Sequence, residues 1–210
     1  MTDLTRRRML ATGLGLAALP VLARPWTAGP ARAATRDDAE TIAAVERYLN
    51  DIRTVRSQFL QVASTGEIAR GTFYLHRPGR LRIEYQPPTE ILIVGDRHHL
   101  IYYDKELESV NYVAVDDTPA ALFMEETIRL AGDVTVTGVA EEKGTVRVHL
   151  VRSAEPDAGA LTLLLGARPL ALRQWTVADA QGTETRVTLV DPEFGVALDP
   201  ELFRFTPPEE

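Results

Sequence analysis

The first regular pattern in the chain is a run of apolar residues at helical spacing. These residues recur every three or four positions from Ala39 to Ile52, which predicts an amphipathic helix over residues 37–53. Asp37 and Asp38 place carboxylates in the first turn, where they favour capping and the helix dipole. The pattern therefore predicts one helix with a single apolar stripe.

After this helix the apolar residues alternate with polar ones, which is typical of half-buried β-strands. The clearest case is Leu81, Ile83 and Tyr85, because charged residues occupy the positions between them. Glycine, proline and aspartate separate the segments, as expected for turns. The predicted strands cover residues 57–64, 67–77, 80–86, 90–95, 99–104 and 109–115.

The apolar spacing changes again after residue 117. Thr118 suits a helix N-cap and Pro119 suits the first helical position. We predict a second helix over residues 119–131, ended by Gly132. The residues predicted on its covered side are Ala120, Phe123, Thr127 and Leu130, widened by Met124 and Ile128.

Strand patterns then return to the end of the chain. Lys143 with Gly144, and Gln181 with Gly182, are plausible hairpin turns. The predicted strands cover residues 134–140, 145–152, 160–166, 170–178 and 184–190. Short consecutive strands with tight turns favour antiparallel meanders over βαβ units. The fold class is therefore mainly β: a strongly curved, unclosed antiparallel sheet of about eleven strands, with amphipathic helices on its concave side.

The N-terminal region has the three-part layout of an export signal. Three arginines at residues 6–8 precede an uncharged run over residues 10–23, and the small residues Ala31 and Ala33 flank a possible cleavage site. The run is too short, and too interrupted by glycine and proline, for a membrane-spanning helix. Paired arginines resemble a twin-arginine signal, although an ordinary export signal also fits. We expect residues 1–33 to be removed, leaving residues 34–210 as one domain outside the cytoplasm.

Composition removes several classes of function. The 210 residues include no cysteine, which excludes disulfides, thiolate metal sites and thiol nucleophiles. Residues 1–33 contain five arginines and one aspartate, so their removal takes the net charge from −7 to −11. An acidic chain is poorly suited to binding nucleic acid, which requires clustered Lys and Arg.

No catalytic or metal-binding motif stands out. His98 and His99 are adjacent, so on a strand they point to opposite faces and cannot share a metal. The carboxylates occur as neighbouring pairs, which diverge on strands and helices and make poor acid–base pairs. A glycosidase that uses distant carboxylates stays open at this point. The apolar interior allows two interpretations: a closed core under the second helix, or a cavity that this helix covers.

A set of short segments occurs in a recognisable order along the chain. They are Phe59-Leu60-Gln61, the run from Gly71 to Tyr85, Ile93-Val94-Gly95-Asp96, Ile101-Tyr102-Tyr103-Asp104, the Thr118-Pro119 helix start, and the run from Phe203 to Pro208. In this order they resemble the LolA family, the periplasmic lipoprotein carriers of Gram-negative bacteria. The resemblance covers nearly the whole chain after residue 33.

The resemblance implies an unclosed antiparallel β-barrel with a helical lid, in agreement with the fold predicted from the patterns. It also implies a task without covalent chemistry or a cofactor. Members accept acylated lipoproteins from an inner-membrane ABC transporter and deliver them to an outer-membrane acceptor. We therefore expect a monomeric periplasmic carrier rather than an enzyme. The alternative is a lipid-binding or envelope-stress sensing protein on the same scaffold, with another hydrophobic ligand.

The resemblance also implies roles for individual residues. It places Arg77, in an Arg-Pro-Gly turn, at the family's lid latch, where arginine donates hydrogen bonds to carbonyl groups of the closed lid. A guanidinium suits this task because it holds five N–H donors in a fixed plane. The positions matched to the cavity or lid, for which core packing is the alternative, are Phe59, Phe73, Leu81, Ile83, Ile93, Leu122, Phe123 and Met124.

Overall fold

A computed structural model describes residues 36–207. Its helices are α1 (Arg36–Asp51) and α2 (Ala120–Met124), and its strands are β1 (Thr54–Ala63), β2 (Ile68–His76), β3 (Arg80–Tyr85), β4 (Ile91–Gly95), β5 (His99–Asp104), β6 (Ser109–Ala114), β7 (Val134–Glu142), β8 (Thr145–Arg152), β9 (Gly159–Ala167), β10 (Leu170–Asp179) and β11 (Glu184–Phe194). Short 3₁₀ turns lie at Val115–Asp117 and Pro200–Phe203.

The strands form one sheet in the order β6-β5-β4-β3-β2-β1-β11-β10-β9-β8-β7. Two meanders meet where β1 pairs with β11, and neighbouring strands are antiparallel throughout. β6 and β7 lie at the two ends without pairing to each other, so the sheet over the described residues is not closed. The prediction of an unclosed antiparallel sheet of eleven strands is confirmed.

One face of the sheet carries the core. β8 buries Val146, Val148 and Leu150 at alternate positions, and the register pairs Val148 with Leu163 of β9. Full burial of each such side chain stabilises the fold by about 1.5–3 kcal/mol. One continuous cluster joins these strands to β1–β3 and to both helices. The sheet therefore curls around the helices.

Helix α1 agrees closely with the predicted helix over residues 37–53. Val45 and Leu49 are buried at 0% and 1% exposure, whereas Ala39, at the start of the predicted stripe, is exposed. The Tyr48 hydroxyl accepts a hydrogen bond from the Leu172 N–H at 2.9 Å. This bond fastens α1 to β10, which lies in the second meander.

The second helix is much shorter than predicted. The prediction of a helix over residues 119–131 is wrong beyond Met124, because Glu125 has an extended backbone with ψ 145°. Thr127, predicted on the covered side, is exposed, while Ile128 and Leu130 are buried. The physical reason is that backbone groups after Met124 bond to side chains from elsewhere in the fold, so they need no helical partners.

The predicted export signal, residues 1–33, lies outside the described residues. The boundary between it and the domain over residues 34–210 therefore stays a prediction. Among residues 36–207, no helix has both the length and the apolar character needed to cross a membrane.

Candidate functional site

An apolar cavity of about 310 Å³ lies between the core face of the sheet and α2. It draws on both meanders, since β1–β3 and β5 supply one side and β10 and β11 supply the other. Its lining residues are Phe59, Gln61, Phe73, Leu81, Ile83, Tyr85, Leu100, Thr118, Pro119, Ala120, Phe123, Trp175, Val177, Thr185 and Val187. No charged side chain lines it, so the space suits an apolar guest.

Aromatic rings form much of the cavity wall. Trp175 contacts Phe73 at a centroid distance of 5.5 Å and Phe123 at 5.3 Å. Phe59 meets Tyr85 edge to face at 5.2 Å. These distances lie in the favourable range for ring pairs. Because Phe123 belongs to α2, its contact with Trp175 attaches the short helix to β10.

One polar pair interrupts the apolar lining. The Tyr85 hydroxyl donates a hydrogen bond to Gln61 Oε1 at 2.8 Å. Burial, together with nearby Tyr102, raises the pKa of Tyr85 to about 12. The phenol is therefore neutral at physiological pH, and the pair satisfies itself without adding a charge to the cavity.

A second cavity, of about 670 Å³, lies on the other side of α2. Thr118, Pro119 and Val177 line both spaces, but Leu122 lines only the larger one and Phe123 only the smaller of these two. The larger cavity has an apolar floor and an acidic rim that includes Asp116, Asp117, Glu125, Asp133 and Asp179. The short helix α2 is thus a partition between two compartments.

Arg77 lies where α1, the β2–β3 turn and the segment after α2 meet. Its side chain is buried at 4% exposure. Its Nη1 donates to the Leu49 and Ile52 carbonyls at 2.6 and 2.9 Å. Its Nε donates to the Glu125 carbonyl at 2.9 Å, and Nη2 reaches the Glu126 carbonyl at 3.2 Å.

A fifth bond, from Arg77 Nη2 to Asn50 Oδ1, measures 3.3 Å. Burial and the nearby charge of Arg53 lower the pKa of Arg77, yet a guanidinium stays charged throughout the physiological range. Backbone oxygens rather than a carboxylate satisfy this buried charge. One side chain therefore fastens the segment after α2 to the end of α1.

Two further side chains of α1 hold that segment. Asn50 Nδ2 donates to the Ile128 carbonyl at 2.8 Å, and the Ile128 N–H donates back to Asn50 Oδ1 at 2.8 Å. The Leu130 N–H donates to Glu46 Oε2 at 2.9 Å. We call residues 125–130 the strap. Polar contacts from α1 and Arg77 take the place of helical hydrogen bonds in this segment.

Most of the predicted cavity residues line one of the two spaces. Phe59, Phe73, Leu81, Ile83 and Phe123 line the 310 Å³ cavity, and Leu122 lines the 670 Å³ one.

The other two predicted residues lie beside the cavities. Ile93 is half-buried against the core cluster, and the side chain of Met124 lies against Gly95 on β4. Neither contributes to the lining of either cavity.

Sequence reasoning did not identify the wall that the second meander supplies. Trp175, Val177 and Val187 line the 310 Å³ cavity, and Asn50 and Glu46 hold the strap. The alternation of Trp175 and Val177 along β10 indicates that both face the core. No local signal places them opposite β3, because that contact depends on how the two meanders meet.

The described residues contain no cluster of three or more His, Cys, Asp or Glu side chains that could hold a metal ion. His149 Nδ1 lies 2.9 Å from Thr162 Oγ1, and burial, with nearby Arg147, lowers the pKa of His149. Its contact is with a neighbouring strand and not with either cavity.

Comparison with known proteins adds to this geometry. The family model described as outer membrane lipoprotein carrier protein LolA matches residues 50–206. The outer-membrane lipoprotein carrier protein of Methylococcus capsulatus is 31% identical over 173 residues, covering 78% of this chain and 82% of that protein. The protein of the same description from Halorhodospira halophila is 32% identical over 180 residues, covering 81% and 84%. The matched span contains every described strand, α2 and Arg77.

Proposed function

Because this chain belongs to the LolA family of outer-membrane lipoprotein carrier proteins, we propose that it binds the acyl chains of lipoproteins in the space beneath α2. In this proposal it accepts its cargo from an inner-membrane ABC transporter, crosses the periplasm and releases the cargo to an outer-membrane acceptor, without covalent chemistry. The observation that carries the proposal is an apolar cavity under a short helix whose following segment is held by hydrogen bonds.

The energetics of transfer require such a cavity. Each buried methylene is worth ~0.8 kcal/mol, so one acyl chain of about a dozen carbons contributes on the order of 10 kcal/mol. A lipid anchor with more than one chain does not leave a membrane for water at a useful rate unless a protein shields it. An apolar lining without charged side chains provides that shield.

The size of the cavities bears on how cargo enters. The 310 Å³ space is narrow and the larger space lies behind α2. We propose that α2 moves aside when cargo binds, so that the two spaces join. The moving element is small: α2 has five residues, of which Leu122, Phe123 and Met124 are buried, and its Met124 carbonyl accepts a hydrogen bond from the Gly79 N–H at 2.8 Å.

We propose that Arg77 is the latch of this lid. Two of its hydrogen bonds end on strap carbonyls, and two end on the carbonyls of Leu49 in α1 and of Ile52 just after it. Releasing the strap breaks the first pair and leaves the second in place, so the guanidinium keeps partners in both states. The closed contacts then compete with cargo and keep its binding reversible.

A release assay tests the carrier function. Vesicles that contain an ABC transporter and an acylated lipoprotein are incubated with ATP and purified protein, and cargo is measured in the supernatant after the vesicles are pelleted. We expect soluble cargo in proportion to the protein added, and none when either the protein or ATP is left out. Cargo that stays in the vesicles at every protein concentration refutes the proposal.

Paired variants connect the assay to the cavity. Phe123→Glu places a charge in the lining and should abolish release. Ile68→Glu makes the same change at a side chain that is 62% exposed on β2, so release should be unchanged. Circular dichroism of both variants shows whether each retains the β-sheet.

A further inference from the structure

The two open edges of the sheet are protected very differently. The β7 edge has a register shift between Val136 and Gly138, ends in Glu141 and Glu142, and packs near α1. Bulges, charges and covering elements are the usual means by which proteins prevent pairing at an edge strand. Among the described residues, the β6 edge, Ser109–Ala114, lacks these features: its pairing with β5 has no register shift, no described strand lies beyond it, and its sequence Ser-Val-Asn-Tyr-Val-Ala contains no charge and no proline.

The side chains of β6 are unusually exposed for their type. Tyr112 is 63% exposed and Val113 is 41% exposed. Val113 pairs with Leu100, which lines the 310 Å³ cavity, so the apolar wall continues to the edge on that face. Within the part of the chain that the structure describes, no segment pairs with the outer side of β6.

The register shows which backbone groups are free at this edge. The Val115 N–H donates to the His98 carbonyl, so in antiparallel alternation the odd-numbered residues of β6 bond to β5. Tyr112 pairs with Ile101 at a position that does not bond toward β5. The N–H and carbonyl groups of Val110 and Tyr112 and the N–H of Ala114 therefore point outward, and no described strand bonds to them.

The charges on either side of β6 indicate the kind of strand it accepts. Glu106 and Glu108 precede it and Asp116 and Asp117 follow it, all exposed. Lys105 is the nearest cation before the strand, and Arg152 lies 3.9 Å from Asp117 after it. Both ends of the edge are thus net acidic around an uncharged centre.

A second copy of this chain fits the edge poorly. Because the free groups belong to even-numbered residues, two β6 strands can pair only with even-numbered residues opposite even-numbered ones. When Tyr112 faces Tyr112 of the other copy, Glu108 faces Asp116 at both ends of the pair, and when Val110 faces Tyr112, Glu106 faces Asp116. Like charges across a strand pair are destabilising, so the edge is unsuited to self-association.

We propose that β6 is a docking site for an extended segment of another protein, which adds to the sheet as a twelfth strand. The segment has β-branched or aromatic residues at its centre and Lys or Arg at both ends. Main-chain hydrogen bonds supply affinity in this mode of recognition, and side chains and flanking charges supply specificity. This inference goes beyond the carrier function and does not depend on what the cavity holds.

A synthetic peptide of alternating valine and threonine with lysines at both ends is the probe. Titrated into ¹⁵N-labelled full-length protein, it should slow hydrogen exchange of the Val110, Tyr112 and Ala114 amides at least tenfold. The odd-numbered amides between them should change little, because they already bond to β5. Binding should weaken with added salt, since exposed charges are screened.

Two controls test whether binding depends on backbone hydrogen bonds at the outer side of β6. A peptide of the same sequence with N-methylated backbone amides lacks the donors and should bind at least tenfold more weakly. Tyr112→Pro removes an outward N–H that β5 does not use, a position where an edge strand tolerates proline, and should weaken binding similarly. Tyr112→Thr retains the N–H and should bind within about threefold of the unaltered protein.

Three results overturn the inference. The first is equal binding of the N-methylated peptide, and the second is protection of odd- and even-numbered amides alike. The third is a dimer of the unaltered protein that Tyr112→Pro converts to monomer, since that makes a second copy the occupant. If Tyr112→Pro fails to fold, the comparison of the two peptides on the unaltered protein still decides the question.

Discussion

Replacing Arg77 by leucine tests the latch most directly. Leucine retains part of the apolar stem but removes all five hydrogen bonds, which measure 2.6–3.3 Å. The Leu49 and Ile52 carbonyls lie at and just after the end of α1, so of the five Arg77 bonds only those to Glu125 and Glu126 hold the strap. A hydrogen bond to a charged group contributes about 1.5–3 kcal/mol net. Since the Glu126 bond is long, we expect a loss of about 2–4 kcal/mol of strap closure.

This loss has a defined effect on binding. It shifts the closed-to-open ratio about 30-fold to about 1,000-fold, at about 1.4 kcal/mol per tenfold. If cargo binds the open form, its apparent affinity rises by up to the same factor, because less closure energy opposes it. Arg77→Leu should therefore bind acyl chains more tightly and release them to an acceptor more slowly. Arg77→Lys should behave similarly, since one ammonium cannot span four carbonyl groups.

Two measurements test strap opening and acyl-chain affinity separately. Hydrogen exchange at the Ile128 and Leu130 amides reports strap opening, and titration with a fluorescent long-chain fatty acid reports affinity. Arg168→Leu is the matched control, because Arg168 also precedes a proline between two paired strands but is exposed. Unchanged exchange together with unchanged affinity in Arg77→Leu would refute the latch, provided circular dichroism shows the sheet intact.

Other predictions concern the strap, the cavity wall and pH. Asn50→Ala leaves the Ile128 N–H and carbonyl without their partners; we expect about 1–3 kcal/mol of destabilisation and faster exchange at Ile128, and an unchanged exchange rate would contradict this. Trp175→Ala removes the contacts to Phe73 and Phe123 and should lower the urea unfolding free energy by about 3–5 kcal/mol; a loss below about 1 kcal/mol would show that the wall is not packed as described. His149 has a pKa lowered by burial, so the unfolded chain takes up its proton more readily. The unfolding free energy should therefore be independent of this group well above its ordinary pKa of 6.5 and fall as the pH drops below that value. His149→Gln should remove that part of the pH dependence, and identical slopes in both proteins would exclude His149 as its source.

Local sequence patterns were sufficient to predict most of the fold. Helix α1 and the eleven strands follow from spacing that each segment carries in itself, since a residue's side of a helix or strand depends on its near neighbours. The inward position of Leu81 and Ile83 is one example. Strand ends were less accurate: β1 begins at Thr54 and β11 runs to Phe194, because pairing with neighbours extends a strand beyond its own apolar pattern.

The candidate site depends partly on residues that the sequence indicates and partly on contacts between distant segments. Family resemblance and local chemistry pointed to Arg77 and to one wall of the cavity, including Phe59 and Phe73. The length of α2 could not be predicted from residues 119–131, since the groups that replace its hydrogen bonds come from α1 and from the β2–β3 turn.

The sequence by itself determined which residues turn toward the interior and that the interior is apolar. Only the tertiary structure decided that Trp175 faces Phe123 and that α2 divides the interior into two spaces. The reason is physical. Periodicity acts over a few residues, whereas these contacts join segments about fifty or more positions apart, and their geometry depends on how two meanders curl around the same pair of helices.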